Sequence, residues 1–557
     1  MCKSFVSIIS LCAALMLGSC NSKMGEFKSE YFNTNPNPLE VVGTQVPGRV
    51  YGKIPAKFFN KDAEVTITPV LVYADTEQTS APVTYQGENV RGNNYVVSYA
   101  DGGSLTVPVN YQYIPAMNHS ELYLAFDVKQ GSKQYALPRV KVADGVIATA
   151  ALADAATVMP ATAADAFQRI INEKYSADIR FLINQANIRS NQLQSKEVTD
   201  LQDIMRDAAA APNKEIEEIN ISSYASPDGS LDFNTRLAEN REANTKDYLT
   251  KQLKKDKITE FGELTAQFTP EDWEGFRKLV AASNIQDKNL IISVLSMYKD
   301  PEEREREIRN LSSVFETLAD EILPQLRYSR ITASVNVIGK SDSEIASLAK
   351  NNPGKLNVEE LLYAATLTDD NGEKMKIYGD VVRLYPDDFR GYNNLGMTQY
   401  VAQDYAAALA NFDKAATLAP ASREVNMNSG LVALVNKDYS KANSSFGNAA
   451  GLEELGEALG VYYLTQGDNA AAVKAFGSSK TNNAALAQIL TKDYSAAKST
   501  LSGISAPDAT TYYLTAIVGA RTNNASMVKS NLDKVAALDP SMAAKAKSDL
   551  EFAQFQL

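Results

Sequence analysis

Apolar and polar residues alternate through much of the region that follows the N-terminus. Glu64-Val65-Thr66-Ile67-Thr68 alternates strictly, and apolar residues occupy every second position from Leu122 to Val128. A period of two is typical of a strand with one buried face. Turn sequences rich in Gly, Asn and Asp separate these runs, and no helical pattern lies between them. Residues 41–147 are therefore predicted to form a β-sandwich.

Four tyrosines of this region allow two interpretations. Tyr95, Tyr99, Tyr111 and Tyr113 either form a binding face or pack the sheet. Packing is the simpler interpretation, because aromatic residues are enriched in strands for that reason alone. The tyrosines therefore do not define a ligand for the β-domain.

The pattern becomes mixed further along the chain. Asp178–Ile183 and Ile331–Val337 have strand character, whereas apolar residues from Val198 to Ala208 mark one face of a helix. Strands that alternate with helices predict an α+β domain over residues 165–340. The Ala-rich residues 148–164 that precede this domain are predicted to be a linker between domains.

Helical material is predicted inside this α+β domain, at residues 268–323. Thr269-Pro270 is a good helix start, with Thr as the cap and Pro in the first turn. From Glu302 to Arg309 the charges alternate in sign, which is typical of a solvated helix face. A surface for docking a partner is the alternative interpretation of that charge pattern.

The chain becomes rich in Ala and repetitive over residues 356–557. The pattern around Leu395-Gly396, followed by Tyr, a small residue, Phe, Ala and Pro, resembles the tetratricopeptide repeat. In such repeats small residues let two helices approach, and aromatic residues fill the gap to the next unit. The resemblance implies an all-α solenoid that binds other proteins through its concave face, with a helix pair from Val358 to Tyr385 as its cap. The predicted packing residues are Gly396, Gly430, Gly460, Tyr405, Tyr439, Phe412, Phe446 and Phe476.

The N-terminus carries a short apolar run after Lys3. This run is too short to span a bilayer but suits the core of a signal peptide. It ends in Leu17-Gly18-Ser19-Cys20, which resembles the lipobox of bacterial lipoproteins. The resemblance implies that residues 1–19 are a signal peptide and that Cys20 is acylated, for example with palmitate. An ordinary secretory cleavage that leaves Cys20 free is the alternative.

The residues after the cysteine bear on location. Asn21, instead of Asp, implies the outer membrane by the same resemblance. Surface-exported lipoproteins of Bacteroidota often carry an acidic cluster at this point, and only Lys23 and Glu26 are present here. The periplasmic face is therefore expected, and surface exposure stays open. Residues 20–40 include Asn33-Thr34-Asn35-Pro36-Asn37-Pro38 and are predicted to be an extended tether.

A second resemblance lies within the α+β domain. Ser222 to Ser230 leads into Asn234-Thr235-Arg236-Leu237-Ala238-Glu239-Asn240-Arg241, and Tyr248-Leu249 follows. This segment resembles the OmpA-like, peptidoglycan-associated domain, in which a strand and a Gly-Ser turn precede an Asn-x-x-Leu helix with paired arginines. The closing segment Leu326–Ile331 also resembles the last strand of that family.

The resemblance implies a site for the diaminopimelate of peptidoglycan. In the family an Asp meets the ammonium group and an Arg grips the carboxylate as a bidentate fork. Arg241, Asn234 and Leu237 match the family pattern, but Ser226 stands where the Asp is expected. Asp228 is a candidate for the missing carboxylate, although Pro-Asp-Gly is also an ordinary turn sequence.

Composition removes most catalytic chemistry. The 557 residues contain three Cys, all within the first twenty positions, and one histidine, His119. The body of the protein therefore cannot build a disulfide framework, a Cys/His zinc site or a multi-His iron site. No metal or cofactor is predicted. The net charge of −12 disfavours binding to nucleic acid.

These features predict a non-enzymatic outer-membrane lipoprotein, resembling a Bacteroidota family, that acts as an envelope scaffold. The lipid would hold it to the membrane, the repeats would bind envelope proteins, and the OmpA-like domain would bind peptidoglycan. The alternative is a surface or periplasmic subunit of an outer-membrane assembly or export complex without peptidoglycan binding. A carboxylate enzyme is a third hypothesis, but nothing marks a paired acid and nucleophile.

Overall fold

The computed structural model describes residues 24–285, 288–310 and 312–555. The predicted signal peptide and Cys20 lie outside the described residues. The chain contains a strand-rich N-terminal region, a mixed α/β region and a C-terminal region of helical repeats. Described residues up to Ala164 form one compact unit with those from Asp369 onward, and Asp165–Thr368 form a second unit.

The N-terminal region contains two sheets in which most neighbouring strands are antiparallel. Strands β1, β3 and β8 form one sheet, and the order β10-β9-β4-β6-β7 forms the other, with β5 paired to β4. A short parallel pair joins β2 and β11. The bounds are β1 Phe32–Asn35, β2 Leu39–Glu40, β3 Gln45–Ile54, β4 Ala63–Tyr73, β5 Thr76–Thr79, β6 Val83–Gly87, β7 Tyr95–Val97, β8 Gly103–Gln112, β9 Ser120–Gln130, β10 Lys133–Asp144 and β11 Val146–Ile147.

The alternating pattern places the core between these strands. The apolar residues of β9 from Leu122 to Val128 are all buried, and Phe126 packs against Phe27 with ring centroids 4.2 Å apart. The tyrosines divide, because Tyr111 is buried whereas Tyr95 on the short strand β7 is exposed. Some of them therefore pack the sheets and others face solvent.

The predicted tether over residues 20–40 needs correction in its described part. Met24 and Phe27 are buried in the core of the β-domain, and Phe32–Asn35 pairs with β3 as a strand. Leu39 is also fully buried. The Asn-Pro sequence favours extended backbone locally, but the apolar side chains around it find partners far along the chain.

The second unit contains a four-stranded sheet in the order β12-β15-β13-β14, in which only β13 and β14 are parallel. Two amphipathic helices, α2 and α3, supply Leu201, Met205 and Leu249 to its core. The bounds are β12 Ile170–Arg180, α1 Ser190–Leu193, α2 Lys196–Ala210, β13 Lys214–Tyr224, α3 Leu231–Lys255, β14 Glu263–Thr269, α4 Trp273–Ala282, α5 Lys288–Met297, α6 Pro301–Asn310, α7 Ser312–Thr317, β15 Tyr328–Ile338, α8 Asp342–Asn351 and α9 Val358–Ala364.

The helices inserted between β14 and β15 have an apolar cluster of their own. Phe276 and Val280 of α4 pack with Ile291 of α5 and with Leu318 and Leu323, which follow α7. The predicted cap of the repeats, from Val358 to Tyr385, is divided between the two units, because α9 precedes the boundary at Thr368.

The C-terminal region is a series of helical hairpins. Five hairpins, from α11/α12 to α19/α20, follow one another along the chain. The bounds are α10 Asn371–Leu384, α11 Phe389–Val401, α12 Tyr405–Leu418, α13 Arg423–Val435, α14 Tyr439–Asn448, α15 Leu455–Gln466, α16 Asn469–Phe476, α17 Asn482–Leu490, α18 Tyr494–Ser502, α19 Ala509–Arg521, α20 Ala525–Leu538 and α21 Pro540–Ala546.

The recurring Asp of the repeats starts the second helix of each of the first four hairpins. Asp404, Asp438, Asp468 and Asp493 each accept a hydrogen bond from a backbone N–H in the first turn. This capping satisfies a donor that the helix itself leaves unpaired. The predicted residues Tyr405 and Tyr439 follow two of these caps and pack half-buried against the repeat core.

The three repeat glycines lie against three phenylalanines. A Cβ atom at Gly396, Gly430 or Gly460 would stand 2.5–2.7 Å from the ring of Phe412, Phe446 or Phe476. Those rings are buried, so neither helix can move aside without opening the core. In the part of the chain that the structure describes, no helix is both long and apolar enough to cross a bilayer.

Gly430→Ala is expected to lower the free energy of unfolding by about 1–3 kcal/mol, because the new methyl group overlaps the Phe446 ring. Gly447→Ala on α14 is the matched control, since nothing lies within 4 Å of its Cβ position. The control should be neutral or stabilising by up to about 1 kcal/mol, because Ala is the better helix former. Urea unfolding of both variants tests this, and equal stabilities would contradict the close approach.

Candidate functional site

The linker segment, which we define as residues 154–163, runs along the repeat helices within the first unit. It begins with a short 3-10 turn, Ala155–Thr157, and continues without regular secondary structure. Val158, Ala161 and Ala163 are buried, whereas Met159 is 67% exposed. A buried segment without a helix or strand partner must satisfy its backbone N–H and C=O groups in another way.

Three asparagines of the repeat helices satisfy this backbone. Asn428 accepts a hydrogen bond from the N–H of Ala161 at 2.7 Å and donates one to the carbonyl of the same residue at 2.7 Å. Asn394 forms the same pair of bonds with Ala163, both at 2.9 Å. One carboxamide thus pairs with both polar groups of one residue, as a neighbouring strand would.

The third asparagine, Asn483, bonds to the start of the linker segment. The side chain of Asn483 accepts from the N–H of Asp154 at 3.0 Å and donates to its carbonyl at 2.9 Å. The Tyr400 hydroxyl donates to the carbonyl of Ala155 at 2.7 Å. Burial raises the pKa of Tyr400, so this hydroxyl stays protonated as a donor.

A fourth asparagine joins two of the others into a network. Asn393 donates to the carbonyl of Ala161 at 3.1 Å and to Oδ1 of Asn394 at 3.0 Å, and it accepts from Asn428 at 3.0 Å. All these asparagines are buried. Because buried polar groups are costly when unpaired, a fully connected network fixes both the asparagines and the backbone they hold.

The sequence prediction missed these asparagines, although a signal was present. Asn394 and Asn428 lie two residues before the repeat glycines Gly396 and Gly430, and Asn483 lies two residues before Ala485. The same face of three first helices therefore presents a carboxamide. The sequence signal that could have revealed them is a polar residue that recurs along the repeats. It lies two positions before the small, tightly packed residue.

This placement bears on two predictions. Residues 148–164 connect two domains along the chain, but they are also part of the packed interior of the repeat unit. The repeats were expected to bind other proteins through their concave face, and the helix face that carries the asparagines is occupied by the chain itself. The arrangement recognises backbone atoms and contains no group placed for acid–base or nucleophilic chemistry.

In the second unit the predicted peptidoglycan-binding residues lie near each other, but their polar groups bond to other groups of the protein. Arg241 is 0% exposed, and its guanidinium donates to the carbonyls of Gln185 at 3.0 Å, Tyr224 at 2.7 Å and Leu182 at 3.3 Å. Burial and the neighbouring Arg327 lower the pKa of Arg241 to about 10, so it remains charged at neutral pH. A guanidinium held in this way is not presented to a ligand carboxylate.

The predicted acidic partner is also engaged. Asp228 forms an ion pair with Arg327 at 2.8 Å, and Ser226 donates to its other carboxylate oxygen at 2.8 Å. Arg327 also donates to the Ser226 hydroxyl at 3.1 Å. Arg309, from inserted helix α6, donates to the backbone carbonyl of Asp228 at 2.6 Å. The loop after β13 is therefore fixed by Arg327, which lies in the segment that resembles the closing strand, and by Arg309, which lies outside the resemblance.

The remaining two candidates have structural surroundings. Asn234 is buried and donates to the carbonyl of Gly229 at 2.8 Å and to Glu271 at 3.3 Å. Leu237 is half-buried on the same helix, α3. An open cleft of about 630 Å³ lies beside Asp228, Arg309 and Arg327. Among the described residues, no group of three or more His, Cys, Asp or Glu side chains is arranged to hold a metal ion.

Comparison with known proteins gives similarity only to solved structures. No family model matches the sequence, and no curated protein matches it. A tetratricopeptide repeat protein from Parabacteroides merdae is 12% identical, with 43% of this chain and 96% of that chain covered and a TM-score of 0.29. PilF of Pseudomonas aeruginosa is 14% identical, with 39% and 98% covered and a TM-score of 0.29.

A third similar structure is YrrB, described as a tetratricopeptide repeat protein with an unusual peptide-binding site. It is 21% identical, the alignment covers 30% of this chain and 97% of that chain, and the TM-score is 0.24. All three TM-scores lie below 0.5, and each alignment covers less than half of this chain.

Asn428→Ala is expected to lower the free energy of unfolding by about 2–4 kcal/mol, because the N–H of Ala161 and the Asn393 side-chain oxygen both lose their partner. Asn426→Ala is the control on the same helix, since Asn426 bonds only to nearby carbonyls of Pro420 and Ser422. The control should cost less than about 1 kcal/mol. Urea unfolding of both variants tests this. Similar decreases in the free energy of unfolding would show that the bonds between Asn428 and Ala161 do not stabilise the fold.

Proposed function

We propose that this protein is a lipid-anchored, non-enzymatic scaffold of the cell envelope that holds partner proteins through its helical repeats. The observation that carries the proposal is the repeat unit, whose buried asparagines already hold the main chain of another segment. Stacked helical hairpins offer large, continuous surfaces for binding proteins. The buried asparagine network supplies polar groups that recognise a peptide main chain.

The anchor in this proposal is Cys20. The support is the sequence Leu17-Gly18-Ser19-Cys20 after an apolar run, which resembles a lipobox. Two or more acyl chains hold a protein stably on a membrane, whereas one gives reversible binding. Asn21 supports the outer membrane, and the scarcity of acidic residues after it supports the periplasmic face.

We further propose that the second unit is an OmpA-like domain that does not use Arg241 to bind peptidoglycan. The motif resemblance and the mixed sheet covered by α2 and α3 support the domain assignment. The three carbonyl bonds of Arg241 and the Asp228–Arg327 ion pair argue against the ligand. This favours the alternative of a subunit in an outer-membrane assembly or export complex.

A non-enzymatic role fits the groups that the proposed site contains. The carboxylate of Asp228 is paired with Arg327. The asparagines of the repeat unit have no acid–base function at neutral pH. The net charge of −12 supports partners other than nucleic acid.

Cell fractionation with crosslinking tests the scaffold. Wild type is expected in the outer-membrane fraction, and Cys20→Ala in the soluble periplasmic fraction because it lacks the acylation site. Cys12→Ala, which leaves the lipobox intact, is the control and should behave as wild type. A photo-crosslinker at the exposed Leu538 should capture proteins in intact cells. Capture only from Tyr95 in the β-domain, or membrane retention of Cys20→Ala, would contradict the proposal.

Arg241→Lys tests the role of the buried arginine. It is expected to lower the free energy of unfolding by about 2–4 kcal/mol, because one ammonium cannot replace three guanidinium bonds. Arg236→Lys, on the exposed face of α3, should change it by less than about 0.5 kcal/mol. Neither variant should change retention on purified sacculi. Specific retention of wild type that Arg241→Lys abolishes while still folded would restore the peptidoglycan function.

A further inference from the structure

The hydrogen bonds between the linker segment and the repeat helices come mostly from the main chain of the segment. Each of three asparagines pairs with the N–H and C=O of one residue and forms no hydrogen bond with that residue's side chain. These asparagines are Asn483, Asn428 and Asn394. The side chains that face the helices include those of Ala161 and Ala163, both buried, with the exposed Thr162 between them. The bonds of Asn428 and Asn394 require only a backbone with two small residues at this spacing. The bonds of Asn483 to Asp154 and of Tyr400 to Ala155 also require the short 3-10 turn Ala155–Thr157.

We propose that the groove lined by Asn394, Asn428 and Asn483 is a peptide-binding site that the linker segment fills in cis. A partner protein fills the same site in trans with a segment that has small residues at the positions of Ala161 and Ala163. This proposal rests on the scaffold function for the existence of a partner. The site itself requires only the geometry of the first unit.

The chemistry of the site allows a competing peptide to replace the cis segment. A competing backbone restores the asparagine bonds to the main chain that the cis segment gives up, so no buried carboxamide is left unpaired. The Asp154 carboxylate caps its own turn at Ala156. Two other polar side chains bond to the repeat helices, because Thr157 accepts from Asn483 at 3.0 Å and Thr162 donates to the Met397 sulfur at 3.1 Å. A competing peptide restores these two bonds when it has hydroxyl side chains at the same positions. Met159, in the middle of the segment, projects into solvent.

The advantage of the cis segment is its covalent connection. A tethered ligand has an effective concentration of the order of millimolar, which a free peptide must overcome. Exchange therefore needs either a high local concentration of the partner or a partner that also binds elsewhere on the chain. This mode resembles the addition of a strand to a sheet edge, with side-chain amides in place of the edge strand.

A labelled peptide with the sequence of residues 153–165 tests the proposal on the full mature chain. Ala161→Arg with Ala163→Arg, which we call the open variant, should release the cis segment because neither buried position can hold an arginine. The open variant is expected to bind the peptide at least tenfold more tightly than wild type, measured by fluorescence anisotropy. A peptide that carries the same two arginines is the matched control and should not bind.

The asparagines provide the second arm of this experiment. Adding Asn428→Ala to the open variant should weaken peptide binding at least tenfold, whereas adding Asn426→Ala should leave it unchanged. A folded open variant that does not bind the peptide overturns the proposal. Equal binding by the Asn428 and Asn426 variants also overturns it, since the peptide would then lie elsewhere.

Hydrogen exchange on wild type keeps the proposal testable if the open variant does not fold. The amides of Ala161 and Ala163 should exchange by local opening, and millimolar peptide should accelerate their exchange at least threefold while amides of α13 stay unchanged. Unchanged protection at saturating peptide would identify the segment as a permanent part of the core. These readouts use purified protein, so they fail or succeed independently of membrane location and of crosslinked partners.

Discussion

The first unit depends on one constraint, which is that a buried backbone must have hydrogen-bond partners. Most of the linker segment is buried but pairs with no strand, and asparagine side chains supply the hydrogen bonds that a neighbouring strand would have supplied. Those bonds tie a chain segment that follows the β-domain to helices more than 200 residues later. The β-domain and the repeats form one compact unit together with this segment.

The same constraint explains why the second unit does not expose its matching arginine. A buried guanidinium is costly unless its donors are satisfied, and three backbone carbonyls satisfy Arg241. Asp228 has no equivalent in the family motif. Its carboxylate forms an ion pair with Arg327, which lies 99 positions later in the chain. Residues that resemble a ligand site by sequence thus serve to hold the loop after β13 against the inserted helices.

Local periodicity was the reliable part of the sequence prediction. The period of two in β9 and the Gly–Phe spacing of the repeats reflect burial on one side of an element, and the structure has these residues buried. The tether prediction for residues 20–40 was wrong in its described part. Composition around Asn33–Pro38 indicates extended backbone, but it does not report that Met24 and Phe27 enter a distant core.

The sequence by itself determined the strand-rich, mixed and helical-repeat regions, because each depends on the spacing of apolar residues within a few turns or strands. Only the tertiary structure decided which polar groups meet. Asn428 and Ala161 are 267 positions apart, and nothing in either neighbourhood specifies the other. The hydrogen-bond partner of a buried side chain is set by how whole elements pack, and this decided that Arg241 is structural and that the asparagine face is occupied.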